Sequence, residues 1–121
     1  MPNKKVLVVD DSVTERHLLT TMLEKNGYQV FTAESGVEAL SKADQVRPDI
    51  ILMDVVMPGT SGFQATRTIS KNETTKHIPI IICSSKGQDT DKIWGLRQGA
   101  REYLVKTVKE SDLMPKIAAL T

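Results

Sequence analysis

Short runs rich in Val, Ile and Leu alternate along this chain with segments of helical spacing that carry their own start signals, and the alternation repeats five times. Runs such as Val6-Leu7-Val8-Val9 and Ile50-Ile51-Leu52-Met53 are apolar at every position, not at every second one. A strand with one face in water would alternate, so these strands need cover on both faces, which a parallel sheet with crossover helices supplies. The pattern predicts an α/β chain of (βα)5 type, doubly wound around a five-stranded parallel sheet.

The segment boundaries are marked locally. The first strand, 6–9, stops at Asp10-Asp11, and Ser12 with Glu15 predicts a capping box for a helix whose face is Val13, His17, Leu18, Met22 and Leu23, ended by Gly27. A second strand over 28–33 leads to Ser35 with Glu38, a second capping box, and a helix to about Val46, with Pro48 at the exit. The third strand, 50–53, delivers Asp54, and after the loop from Met57 to Gly62 a helix runs from near Phe63 to near Asn72. The fourth strand, 80–83, reaches Ser84 and Ser85, and Asp89 is expected to cap a helix carrying Ile93, Trp94 and Leu96 that ends by Gly99. A strand at 103–105 ends at Lys106, and the last helix is expected from near Ser111 with Pro115 in its first turn. The expected organisation is a single domain over 1–121, without linker or repeat.

Composition narrows the function. Sixteen Lys and Arg against fifteen Asp and Glu leave a net charge of +1 without basic blocks, which argues against nucleic-acid binding. No long apolar run predicts membrane insertion, and the single Cys83 excludes an internal disulfide and suits a reducing cytoplasm. Cys83 is expected to be a small core residue, His17 and His77 structural or surface residues, Trp94 partly exposed, and Gly59 and Gly62 loop glycines without nucleotide-binding spacing.

In an open parallel sheet, ligands bind outside the carboxyl ends of the strands where strand order reverses. Those positions hold Asp10 and Asp11, Asp54, Ser84 and Lys106. Clustered carboxylates need a cation or proton between them, and an oxygen-only donor set favours Mg2+ over zinc. A carboxylate can attack phosphorus to form an acyl phosphate, with Lys106 and the Ser84 hydroxyl covering phosphoryl oxygens. Asp54, alone on its strand, is the better nucleophile, and the Asp10-Asp11 pair the better metal holder. This reads as a transient phosphoryl acceptor.

Asp10-Asp11-Ser12, the run from Asp54 to Gly59, Ser84-Ser85 and Lys106, in this order, resemble the response-regulator receiver domain in its stand-alone CheY-like form, over the whole chain. Met57-Pro58-Gly59, the run from Ser61 to Arg67 and residues 91–101 are most similar to the PilH-type regulators of twitching motility. The resemblance implies the flavodoxin-like receiver fold with strand order 2-1-3-4-5. It implies phosphorylation of Asp54 by a histidine kinase, CheA-like or hybrid, with magnesium held by Asp11, Asp54 and the backbone carbonyl of Val56, and assisted by Asp10. Ser84 and Tyr103 would then switch the surface of helix four, strand five and helix five for a protein target. Val56 and Lys86 fall at positions that tune phosphoryl lifetime in the family. An enzyme in the ordinary sense is not implied, only self-directed phosphoryl transfer and autodephosphorylation. A cytoplasmic protein, monomeric or weakly dimeric and without an output domain, is expected.

Thr107 departs from the proline that usually follows this lysine. A cis bond to a non-proline residue costs about 3–4 kcal/mol, so a trans Lys106-Thr107 peptide with a rearranged loop is expected. The alternative that follows is a phosphate-independent docking module or phosphate sink with a modified switch. An aspartate-nucleophile phosphatase is a further class, but it would need an Asp-x-Asp pattern and a cap.

Overall fold

The structure, a computed structural model, describes residues 4–121; the expected domain span also takes in residues 1–3, which lie outside the described residues. Five strands, β1 (Lys5–Val9), β2 (Gln29–Ala33), β3 (Ile50–Met53), β4 (Ile80–Ser84) and β5 (Glu102–Val105), form one sheet in the order β2-β1-β3-β4-β5. All pairings are parallel, as the unbroken apolar runs require. Helices α1 (Val13–Lys25), α2 (Gly36–Val46), α3 (Gly62–Lys71), α4 (Asp89–Arg97) and α5 (Glu110–Leu120) make the crossovers.

Successive strand residues point to opposite faces and build two cores. Leu7, Val9, Ile51, Met53, Ile80 and Ile82 pack in one, with Ala39 and Ala43 of α2 and Ala65 and Ile69 of α3. Val6, Val8, Ile50, Leu52, Ile81 and Cys83 pack in the other, with Leu19 and Leu23 of α1 and Leu113 and Ile117 of α5. Cys83 is a buried free thiol whose pKa burial pushes up to about 12, so it is inert.

The α1 face differs from the expected one. Val13 and Leu18 are 71% and 44% exposed and His17 is exposed, while Leu19 and Leu23 are buried and Met22 half-buried. The i, i+4 pair Leu19–Leu23 sets the buried stripe, and Leu18 lies one helical step off it.

The caps depart from the simple box as well. Ser12 Oγ accepts from the Glu15 N–H, but the Ser12 N–H donates to Asp10 Oδ1 at 2.9 Å, so the acid at the strand end takes the donor that Glu15 was expected to bind. Ser35 Oγ accepts from the Glu38 N–H, whereas the Glu38 carboxylate accepts from Glu34. A complete reciprocal box, Ser61 with Gln64, stands at the start of α3.

Asp89 is the first residue of α4 instead of its cap, which is Gln88, whose N–H donates to Asp91. Pro115 is the sixth residue of α5, which starts at Glu110, and so lies in its second turn instead of its first. Among the described residues no helix is long and apolar enough to cross a membrane.

The Lys106-Thr107 peptide is cis, against the expectation of trans. The expectation used a local preference and left out the tertiary contacts of the loop: the Lys106 N–H donates to Ser84 O at 2.9 Å and the Lys106 ammonium is tied to two carboxylates.

The observed α1 stripe makes a quantitative prediction. Leu19→Ala and Leu23→Ala should each lower the unfolding free energy by about 2–5 kcal/mol, and Leu18→Ala by less than about 1 kcal/mol, read as shifts of the urea midpoint at constant slope.

Candidate functional site

Strand register places the acids. Val9 pairs with Met53, and the ladder continues one residue further, with the Asp54 N–H donating to Val9 O at 2.9 Å and the Asp10 N–H to Ala33 O at 3.0 Å. Asp10 and Asp54 therefore leave the sheet side by side on β1 and β3, where the strand order reverses. Asp10 and Asp54 are 2% and 6% exposed, while Asp11 is exposed. One carboxylate oxygen from each of the three lies within 4.8 Å of the others.

Lys106 bridges the cluster from the end of β5. Its Nζ lies 2.7 Å from Asp10 Oδ2 and 3.4 Å from Asp54 Oδ1. Burial alone would lower the lysine pKa, but the hydrogen bond to Asp10 and the charges of Asp54 and Asp10 outweigh it, and the net shift is upward. The ammonium thus sits between the two buried carboxylates, although Thr107 stands where a proline usually follows this lysine. Burial, and then the neighbouring Asp10 charge, raise the Asp54 pKa to about 6 in spite of Lys106.

Gly62 lets the start of α3 close against this edge. A Cβ there would lie 1.9 Å from the Asp54 carbonyl oxygen, and the Gly62 N–H donates to Val55 O at 3.0 Å. Val56, two residues beyond Asp54, is 57% exposed on the same loop.

Ser84 is fully buried, and its Oγ accepts from the Lys86 N–H at 3.1 Å. Half-buried Tyr103, whose pKa burial raises, donates from its hydroxyl to Lys86 O at 2.6 Å. The two residues expected to act as a switch thus hold the N–H and the carbonyl of the same loop residue. The Tyr103 ring also lies under α4, where a Cβ on Gly95 would come within 2.9 Å of it. Ile93, Trp94 and Leu96 on α4 and Val105 on β5 form an exposed apolar set nearby, between 40% and 52% exposed. His17 and His77 are exposed, and among the described residues neither belongs to the cluster of potential metal ligands.

All the residues expected at the strand ends, Asp10, Asp11, Asp54, Ser84 and Lys106, are found there. One residue of this edge escaped the sequence reading. Arg16, in the first turns of α1, donates from Nη1 to Asp10 O at 2.7 Å and from Nη2 to Glu34 Oε1 at 3.0 Å. Its sequence signal is faint: an arginine six positions past an acid looks like any solvated helix residue.

The donor set is oxygen only, with one exposed member, which fits a small hard dication that keeps part of its water shell. The buried nucleophile candidate, the ammonium and the buried hydroxyl surround the same edge.

Comparison with known proteins agrees with this geometry. Residues 6–118 match the response regulator receiver domain model. The chain is 53% identical over 116 residues to Protein PilH of Pseudomonas aeruginosa, covering 96% of each. Among solved structures it superposes on the chemotaxis protein CheY4 of Vibrio cholerae with a TM-score of 0.92 at 33% identity, covering 99% of this chain and 100% of that one. The receiver domain of a Pseudomonas aeruginosa sensor histidine kinase, with a magnesium ion coordinated in its active-site cleft, superposes with a TM-score of 0.91 at 29% identity over 98% of both chains.

The raised Asp54 pKa carries a pH signature. A folded carboxyl with a pKa of about 6 against an ordinary 3.8 binds its proton more tightly than the unfolded chain does, so its contribution to stability is present below pH 3.8 and is lost as pH rises through about 6. In chelator, the stability of Asp54→Asn relative to wild type should rise by about 2 kcal/mol between pH 4 and pH 7, measured by urea unfolding of both proteins across that range.

Proposed function

Because the chain belongs to the response regulator receiver domain family, we propose that it takes a phosphoryl group onto Asp54 from a phosphohistidine of a partner kinase. The observation that carries this reading is the setting of Asp54: a buried carboxylate at the end of a central strand, 3.4 Å from an ammonium and beside an acid pair.

In the transfer, an Asp54 Oδ forms a bond to phosphorus as the phosphorus–nitrogen bond of the donor breaks, and the departing imidazole nitrogen keeps the electron pair and is protonated. Asp54 must be ionised to attack. Lys106, already next to it, takes one phosphoryl oxygen as a charge-assisted partner, and the Ser84 hydroxyl, whose Oγ accepts from the Lys86 N–H, donates its proton to another. Asp11, Asp54 and the Val56 carbonyl would hold magnesium, with Asp10 assisting. Bound there, it supplies neutralising charge for the phosphoryl oxygens. Hydrolysis of the acyl phosphate by water returns free Asp54.

Drawing the Ser84 hydroxyl toward a phosphoryl group disturbs the hold on Lys86 that Ser84 shares with Tyr103, and so biases the α4–β5 surface that carries Trp94. That surface would meet a protein target. The likeness to PilH supports a role in twitching-motility signalling downstream of a CheA-like or hybrid kinase, in the cytoplasm. The alternative that Thr107 raises, a phosphate-independent docking module or a phosphate sink with a modified switch, is less well supported, since Lys106 lies between the two buried carboxylates.

With magnesium and a small-molecule phosphodonor, intact-mass spectrometry should show a single phosphoryl adduct, absent from Asp54→Asn and formed at least about tenfold more slowly by Lys106→Ala. An adduct of normal yield in Asp54→Asn would refute the assignment. Trp94, the only tryptophan, is 49% exposed and reports on α4. Its emission should shift on phosphodonor addition in wild type and stay unchanged in Asp54→Asn.

A further inference from the structure

Of the three clustered acids, two are held. Asp10 is fixed at every polar group: its N–H donates to Ala33, its carbonyl accepts from Arg16, Oδ1 accepts from the Ser12 N–H and Oδ2 from Lys106. Asp54 is fixed by its N–H bond to Val9 and by Lys106. The exposed Asp11 carboxylate has no side-chain hydrogen bond or ion pair from the described residues, yet it lies within 4.8 Å of the other two.

Its placement comes from the backbone. The Asp10 carbonyl that Arg16 grips belongs to the peptide joining Asp10 to Asp11, so the 2.7 Å bond sets the plane from which Asp11 departs. Arg16 is itself held. Its side chain is only 13% exposed, and its second nitrogen is anchored 3.0 Å from Glu34 at the end of β2. A planar fork with one arm on a carbonyl and the other on a carboxylate is a geometry that lysine cannot reproduce.

We infer that Arg16, braced by Glu34, is a positioning residue that orients Asp11 for the cation. The inference rests on the magnesium-dependent reading proposed above. Its sign is opposite to simple electrostatics: a guanidinium beside an acidic site repels a dication, so its removal would tighten binding if charge alone mattered.

Isothermal titration calorimetry with magnesium chloride on wild type, Arg16→Lys, Arg16→Met and Glu34→Gln tests it. Both Arg16 variants should bind about tenfold more weakly, and Glu34→Gln more weakly by a smaller factor. At saturating magnesium, adduct formation by Arg16→Lys should return to the wild-type rate, since Asp54, Lys106 and Ser84 are intact.

Wild type that binds magnesium while the Arg16 variants bind equally or more tightly overturns the inference and leaves the proposed function standing. Wild type that binds no magnesium removes both. Circular dichroism melts identify any variant that does not fold. Should the Arg16 variants fail there, Glu34→Gln decides, and unchanged affinity in it overturns the inference.

Discussion

The salt bridge from Lys106 to Asp10 and Asp54 is the interaction on which the rest depends. Three carboxylates within 4.8 Å of one another repel strongly where two are nearly cut off from water. One ammonium at 2.7 and 3.4 Å offsets part of that repulsion, and burial, with the Asp10 charge second, still leaves the Asp54 pKa raised. The lysine lies 96 residues beyond Asp10, so the cluster is assembled only when the first and last strands occupy one sheet. The site is thus a product of the whole fold, and its unspent negative charge is what a cation would meet.

The sheet turns sequence position into geometry with little freedom. β1 and β3 are buried on both faces, their register puts Asp10 and Asp54 on neighbouring strand ends, and a one-residue slip would send both acids to other positions. Gly62 lets α3 start against the Asp54 carbonyl, and the complete Ser61–Gln64 box fixes where that helix begins. On the other side of the site, Ser84 and Tyr103 share Lys86, which links the buried edge to an exposed apolar surface on α4 and β5 by three residues and two hydrogen bonds.

Much of this was legible in the chain because strand ends are legible. Continuous apolar runs mark buried parallel strands, and the residue that follows each run falls at the carboxyl edge whatever the helices do, which is why Asp10, Asp54, Ser84 and Lys106 could be read directly. What could not be read depended on tertiary partners. The face of α1 was drawn through Val13 and Leu18, because an exposed valine and a buried leucine look alike until the sheet sets the helix rotation. The box at Ser12 opened because Asp10 took its N–H. The trans preference at Thr107 is a property of an isolated peptide, and the bonds of Lys106 to Ser84, Asp10 and Asp54 belong to the fold. Arg16 acts through a backbone carbonyl, and no residue pattern signals that.

The central claim is that Asp54 accepts the phosphoryl group in a site organised by Lys106 and the acid pair. A crystal structure grown with magnesium and beryllofluoride, a phosphoryl mimic, tests it most directly. The account predicts beryllium on an Asp54 oxygen, the ion on Asp11, Asp54 and the Val56 carbonyl, the Lys106 ammonium and Ser84 hydroxyl on fluorine atoms, and Lys106 released from one of its two carboxylates. A mimic bound to another side chain, or one on Asp54 with Lys106 turned to solvent, would contradict it.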